Sequence, residues 1–334
     1  MRVVVLGAGG LGSVLGGYLA EAGAEVTLVA RLEHVNAVND RGLRIVGRRG
    51  EIVVTERLTA VTSAEEVRGP VDYLILAVKA KDTEQALAGA GALRGAVRTA
   101  LSVQNTVSKD QQLIDWLGKD RVLGASTIEG GTLIEPGLVH NHLSTPVTAY
   151  FGELNGRTSP RLLQITKAFS AAAMPARAVG HIAQVEWEKL AQIALVASWS
   201  VTSLGAVPSS SFFEAMTVPA GAEYFVALAK DLLAVYRGMG YTPQNFYGPV
   251  SRLKELDELA PQDAVEFVIK DGLTLRERGM TGRPSMYGDV LRGRKTEVES
   301  MLGAYVGAAH ELDIEIPTLL TAYRIIKTLD HFLD

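Results

Sequence analysis

The sequence predicts an α/β domain built on a parallel sheet, followed by an all-α domain. Three observations carry this. The chain has 334 residues, roughly twice the usual length of one domain, so two domains with ample core are expected. Short apolar runs rich in Val, Ile and Leu alternate with helix-like segments through the first half, the pattern of parallel strands buried on both faces. After about Val179 the character changes to long segments with apolar residues at helical spacing. The domains are therefore expected to be residues 1–179 and 180–334.

In chain order, strands are expected at 3–6, 26–29, 73–78, 99–103 and 121–126. Segments 137–142 and 147–152 read as antiparallel strands closing the sheet, with Pro136, Pro146 and Gly156 as punctuation. The second half should supply helices at 183–200, 219–239, 261–278, 295–312 and 318–332. No internal repeat, low-complexity tract or long block of one charge interrupts this series.

Lys plus Arg number 33 against 37 Asp plus Glu, so no basic excess argues for nucleic acid or an anionic membrane. The absence of cysteine excludes a disulfide framework, a thiolate metal site and a cysteine nucleophile, and fits a reducing cytoplasm. Residues 3–20 carry no charge, but the apolar run stops at Gly7 and six glycines interrupt the rest, which argues against a signal peptide. The charge-free stretch 190–213 contains Gln192, Pro208 and six serines, so a buried helix of about a dozen residues followed by a polar loop explains it better than a membrane span. A soluble, cytoplasmic protein is expected.

Seven of the 34 glycines fall in the first 23 residues, and six consecutive positions read Gly7, Ala8, Gly9, Gly10, Leu11, Gly12. This GxGxxG follows the first strand directly and opens a helix running towards Ala22, the context of a Rossmann-type dinucleotide site. Gly7 permits the tight turn, Gly9 lets the backbone approach a pyrophosphate, and Gly12 lets helix and strand pack closely. The helix N-terminus supplies unpaired N–H groups and partial positive charge. Gly10, Gly16, Gly17 and Gly23 also have plainer readings as packing or turn glycines. The second strand is followed by Arg31, nineteen residues after Gly12, where an NAD site usually carries an acid. A cation there suits a 2′-phosphate and favours NADP, while Glu33 two positions later keeps NAD open.

Two later segments narrow the reaction. Residues 185–191 (VEWEKLA) and 284–297 (PSMYGDVLRGRKTE) resemble the two signature helices of the ketopantoate reductase family. The resemblance extends to Ala77-Val78-Lys79, to 135–140 (EPGLVH) and to 151–156 (FGELNG), and so covers nearly the whole chain. It implies a helical half arranged like the C-terminal domain of 6-phosphogluconate dehydrogenase, and NADPH-dependent reduction of a branched 2-keto acid, 2-dehydropantoate, to pantoate. By the same resemblance Lys189 is the catalytic lysine of a cleft between the domains, protonating the ketone oxygen. An ammonium suits that task because it both stabilises and protonates a developing alkoxide. Glu297 corresponds to a glutamate that orients the substrate hydroxyl, and it also lies on the cofactor side. Ser285 matches a serine that holds the substrate carboxylate. Asn105 corresponds to an asparagine near both nicotinamide and substrate, and Lys79 to a cofactor-side lysine.

The residues also allow plainer readings. Glu186 stands three before Lys189 and Arg294 three before Glu297, so each could form an ordinary helical ion pair, and Ser285 after Pro284 could cap a helix. His140 and His142 share one face of an expected strand, but no third ligand stands at metal spacing, so no metal site is expected. No GxSxG elbow is present, and Ser209 to Ser211 read as a flexible loop.

The sequence departs from the family pattern at its substrate wall. Two asparagines usual four and eight residues after the lysine are Ile193 and Ala197, with Ser198 the nearest polar substitute. The family's Asn-Gly-x-Gly turn is Asn105-Thr-Val-Ser108, and a further asparagine is replaced by Leu302. Each lost partner for a substrate hydroxyl costs roughly 1–3 kcal/mol. The alternatives are therefore a related two-domain dehydrogenase acting on a less polar keto, hydroxy or imino acid, and an NADP-binding redox sensor without turnover. A small-molecule keto acid is the expected partner, and the apolar helical half is compatible with a homodimer.

Overall fold

The computed structural model describes the chain except residues 143, 144, 206, 208–210 and 281. The expected loop at Ser209 to Ser211 thus lies largely outside the described residues. The chain divides into two compact units, Met1–Glu186 and Trp187–Asp334.

Among the described residues the strands are β1 (Arg2–Leu6), β2 (Glu25–Val29), β3 (Leu43–Gly47), β4 (Ile52–Val54), β5 (Leu58–Val61), β6 (Val71–Leu76), β7 (Val97–Ser102), β8 (Leu123–Thr127), β9 (Gly131–Glu135), β10 (Leu138–Asn141), β11 (Ala149–Glu153) and β12 (Ala176–Ala178). All belong to the first unit. Its main sheet has the order β5-β2-β1-β6-β7 and is parallel throughout. Val3 and Val5 enter one core cluster and Val4 and Leu6 the other, so β1 is buried on both faces. That is why it reads as an unbroken apolar run. The chain builds outward from β1 to β5 on one side and to β7 on the other, which leaves a topological switch between β1 and β6.

The helix Gly10–Glu21 explains the uncharged stretch 3–20. A Cβ on Gly16 would lie 2.5 Å from Leu28, and one on Gly17 would lie 2.5 Å from Ile45. The helix is thus pressed between the main sheet and a second sheet of order β4-β3-β10-β9, and residues 12–20 are all buried. A helix buried all round carries no polar face.

Three strand expectations need correction. Segment 137–142 does form β10, but it pairs parallel with β3 and antiparallel with β9 in the second sheet, and does not close the main one. Segment 147–152 forms β11, which pairs antiparallel with β8 and parallel with β12 in a third sheet. The strand expected at 121–126 therefore leaves the parallel series; only the bridge from Ala100 to Val122 runs alongside β7. The fifth strand of the main sheet is instead β5, at the opposite edge beside β2, whose short LTAV sequence had given no signal.

No strand is described in the second unit. Helix Ile182–Leu204 begins in the first unit and runs into the second; it is followed by Pro219–Gly238, Leu253–Glu258, Pro261–Glu277, Ser285–Leu291, Ala304–Glu311 and Pro317–Asp330. Proline in the first turn at 219, 261 and 317 costs no helical hydrogen bond, so these starts are sharp. The helix expected at 295–312 starts later, and 284–297 is not one helix. The Lys295 amide donates to Asp334 (2.8 Å), the Asp334 amide to Gly293 (3.0 Å) and the Thr296 amide to the Asp330 carboxylate (2.7 Å), which draws the backbone out of helical geometry. Helix resumes at Val298, through a π-helical segment, Glu299–Gly303. Among the described residues no helix is long and apolar enough to cross a membrane.

Candidate functional site

The glycine turn is built by β1 and β2 together. At the end of β1 the amides of Gly7 and Ala8 both donate to the Val29 carbonyl at the end of β2 (3.2 and 2.9 Å), which swings the chain across the sheet edge. Gly7 has φ +100°, and a Cβ there would come within 2.7 Å of the Val78 amide nitrogen, so the loops after β1 and β6 touch. Only glycine meets both demands. Gly9 has open space around its α-carbon, with nothing within 4 Å of an added Cβ. The helix that follows has no side-chain cap, so its first-turn amides have no acceptor inside the helix. Open backbone, unclaimed N–H groups and the positive helix end fit a pyrophosphate. Gly10 answers a different constraint: a Cβ there would fall on the carbonyl of Gly131, at the start of β9.

Behind the turn, buried His34 supports it. The Gly137 amide donates to His34 Nδ1 (3.0 Å), which leaves Nε2 to donate to Ser13 Oγ (3.0 Å), and the Ser13 hydroxyl donates to Ala8 O (3.3 Å). Burial lowers the His34 pKa and keeps the ring neutral.

The other sequence-selected residues of this unit gather at the carboxyl end of the same sheet. Arg31 is exposed, follows β2 and holds the cap position of helix Leu32–Arg41, with Glu33 in the first turn and exposed beside it. Lys79 is exposed after β6, and Asn105 is half-buried after β7. Sequence reasoning missed Gln104. Its Nε2 donates to Val78 O (2.9 Å) and Thr83 Oγ1 (2.7 Å), and its Oε1 accepts from Ser102 Oγ (2.9 Å). It staples the loops that carry Lys79 and Asn105; its only signal was a glutamine closing an apolar strand.

His140 and His142 do share a face, with rings 4.5 Å apart and His142 bonded to Thr132 (2.5 Å). Among the described residues no group of three His, Asp or Glu is placed to hold a metal ion.

Lys189 lies on helix Ile182–Leu204 and is only 8% exposed. The start of that helix is anchored by Glu186, which is buried, so a surface ion pair between the two does not describe this site. The Glu186 carboxylate accepts from Lys109 Nζ and from the Ala125 amide (3.1 Å). Burial pushes the Glu186 carboxyl up to about 7, against the opposing pull of Lys109. Burial likewise opposes the charge on Lys109, but Asp110 and Glu186 hold its pKa above the ordinary lysine value.

Next to Lys189, Glu188 takes donors from Gln244 N (2.7 Å), Phe246 N (2.9 Å) and Tyr236 OH (3.2 Å), and Tyr305 OH donates to Trp187 O (2.8 Å). These bonds fix the turn that presents Lys189. One turn on, Ile193 is half-buried and Ala197 fully buried. The Ser198 hydroxyl donates to Ala194 O of its own helix (2.6 Å).

Ser285 is exposed and is the first residue of its helix, one past the cap position held by Pro284, so it is not the cap. Glu297 is half-buried and sits just ahead of Val298; its carbonyl receives Ser300 Oγ (3.0 Å) and Met301 N (3.1 Å). With 294–297 outside any helix, a helical pairing of Arg294 with Glu297 does not arise. Leu302 is fully buried in the π-helical segment.

Models of the ketopantoate reductase PanE/ApbA family match the chain in both parts, the amino-terminal model over residues 3–156 and the C-terminal model over 181–330. The 2-dehydropantoate 2-reductase of Halobacterium salinarum is 28% identical over 329 residues, 98% of each chain. Among solved structures, 2-dehydropantoate 2-reductase from Methylococcus capsulatus superposes with a TM-score of 0.77 at 22% identity, over 99% of this chain and 97% of that one. A D-mandelate dehydrogenase solved with NADH superposes with the same TM-score, 0.77, at 18% identity over the full length of both.

Proposed function

The chain belongs to the ketopantoate reductase family, and on that premise we propose that it reduces a 2-keto acid to the 2-hydroxy acid with NADPH, 2-dehydropantoate being the first substrate to test. The observation that carries this reading is the buried lysine, Lys189, on a helix whose preceding turns are locked by Glu186 and Glu188. An ammonium held out of bulk water stabilises a developing oxyanion far more than an exposed one does.

In this reading residues 1–179 hold the cofactor and 180–334 the substrate. The first-turn amides of Gly10, Leu11 and Gly12, with Gly7 to Gly9 shaping the approach, take the pyrophosphate. Arg31 takes the 2′-phosphate, and Lys79 and Asn105 line the nicotinamide side. When bound, the reduced nicotinamide supplies the hydride that the carbonyl carbon accepts. Lys189 gives its ammonium proton to the carbonyl oxygen as the C=O π electrons move onto it, and regains a proton from solvent afterwards. Glu297 orients the nascent hydroxyl beside Lys189, and Ser285 holds the substrate carboxylate.

A second reading is favoured by Ile193, Ala197 and Leu302, which make the substrate wall apolar, and by the likeness in fold to a D-mandelate dehydrogenase. It gives a bulkier, less polar 2-keto acid, such as an aryl-substituted one, as the better substrate, and NADH, through Glu33, as a competing cofactor. One experiment separates them: loss of NADPH or NADH absorbance with 2-dehydropantoate and with phenylglyoxylate. Faster reduction of 2-dehydropantoate with NADPH supports the first reading. Faster reduction of phenylglyoxylate transfers support to the second, and oxidation with neither keto acid refutes both.

A further inference from the structure

We infer that Gln192 is a further substrate-binding residue, accepting a hydrogen bond from a hydroxyl of the substrate beyond its reacting carbonyl. This deepens the proposed function and rests on it. Gln192 follows Lys189 by three residues on helix Ile182–Leu204, a spacing that sets both on one face. It is 7% exposed, yet its Oε1 is buried and has no hydrogen-bond partner among the described residues.

Buried side-chain carbonyls nearly always have a donor, and one kept without a partner weakens the fold relative to an apolar side chain of equal size. Other buried polar groups of this helix are paired. Ser198 and Ser200 donate to carbonyls one turn back (2.6 Å each), Thr202 does the same (2.8 Å), and Trp199 Nε1 donates to Gly221 O (3.1 Å). Beyond Gln192, Ile193 and Ala197 offer no polar atom, so the acceptor nearest Lys189 on the following turn is this amide oxygen.

The chemistry of the ligand follows from that of the acceptor. An amide oxygen takes an O–H or N–H donor. The carboxylate and keto oxygens of a 2-keto acid have none to give, so the donor must be a hydroxyl further along the chain. 2-Dehydropantoate carries one on C4; 3,3-dimethyl-2-oxobutanoate has the same skeleton without it.

The test compares wild type with Gln192→Met, which keeps the length and removes the acceptor. The fall in kcat/KM caused by the substitution should be at least about tenfold greater for 2-dehydropantoate than for 3,3-dimethyl-2-oxobutanoate. The melting temperature should rise by about 1–3 °C, because a buried carbonyl without a partner has gone. Equal losses on the two keto acids, or a loss appearing chiefly in KM for NADPH, overturn the inference alone. A lower melting temperature shows that the carbonyl has a structural partner within the protein and overturns it too. If wild type reduces neither keto acid, the proposed function fails and the inference falls with it.

Discussion

Replacing Lys109 by methionine should destabilise the protein by about 3 kcal/mol at pH 9 and by about 1 kcal/mol or less at pH 7. Lys109 is 2% exposed; its ammonium bonds to Glu186 and lies 3.4 Å from Asp110 Oδ1. Methionine fills the same space without the charge, so Glu186 keeps the Ala125 amide but loses its counter-ion. Leaving that carboxylate ionised and unpaired costs about 3–5 kcal/mol. Taking up a proton is the less costly route. The carboxyl titrates near 7 even with Lys109 pulling it down, against 4.5 when exposed. The wild type already bears the cost between 4.5 and 7; each further pH unit over which the variant's carboxyl stays protonated adds about 1.36 kcal/mol, hence roughly 3 kcal/mol at pH 9. Because the folded pKa is raised, the stability linked to this group is complete below about pH 4.5 and declines as pH rises towards 7. Below 7 both proteins hold this proton, so the deficit must grow as pH rises above 7, and Lys109→Met with Glu186→Gln should recover most of it at pH 9. Urea unfolding followed by circular dichroism at both pH values measures it. Wild-type stability of Lys109→Met at pH 9, or a deficit indifferent to pH and to the second substitution, would refute the reasoning.

Gly9→Ala should melt like wild type, since its Cβ meets nothing within 4 Å, yet bind NADPH about tenfold or more weakly because it obstructs the close approach; unchanged affinity by fluorescence titration removes the phosphate from this turn. Arg31→Ala should lower kcat/KM with NADPH by about 10–100-fold and with NADH by no more than about threefold; equal losses would detach Arg31 from the 2′-phosphate. The His34 pKa is lowered by burial, so the stability it contributes is complete above about pH 6.5 and is lost as pH falls through the folded value. The urea midpoint should drop between about pH 7.5 and 5.5, less steeply in His34→Gln; parallel profiles for the two proteins would show that ring protonation plays no part.

The parts of this molecule legible in its sequence are those fixed by local rules. The strand–turn–helix of residues 2–21 is one, because a doubly buried strand, three spaced glycines and an uncharged helix leave few other folds. Helix starts at Pro219, Pro261 and Pro317 are another. What the sequence withheld is pairing. Periodicity marks β8, β10 and β11 as strands but says nothing of their partners, and these lie in sheets of their own. The segment 295–297 was expected to open a helix, yet its amides bond to Asp330 and Asp334, more than thirty residues away, and it lies outside any helix. Site residues divide in the same way. The Gly7 turn was readable from its motif and the candidacy of Lys189 from its flanking resemblance, whereas the commitment of Glu186 to Lys109, 77 residues earlier, is a tertiary fact. That bond holds Glu186 in the interior, away from the solvated helix face on which an ordinary surface ion pair would form.

The central claim is that Lys189 delivers the proton to the substrate carbonyl. Its most direct test is the single-turnover rate of NADPH oxidation at saturating 2-dehydropantoate for wild type and Lys189→Ala, with NADPH binding measured by fluorescence on the same samples. The account predicts a rate lower by about 10²–10⁴-fold with NADPH affinity within about threefold. A Lys189→Ala rate within about threefold of wild type would contradict it.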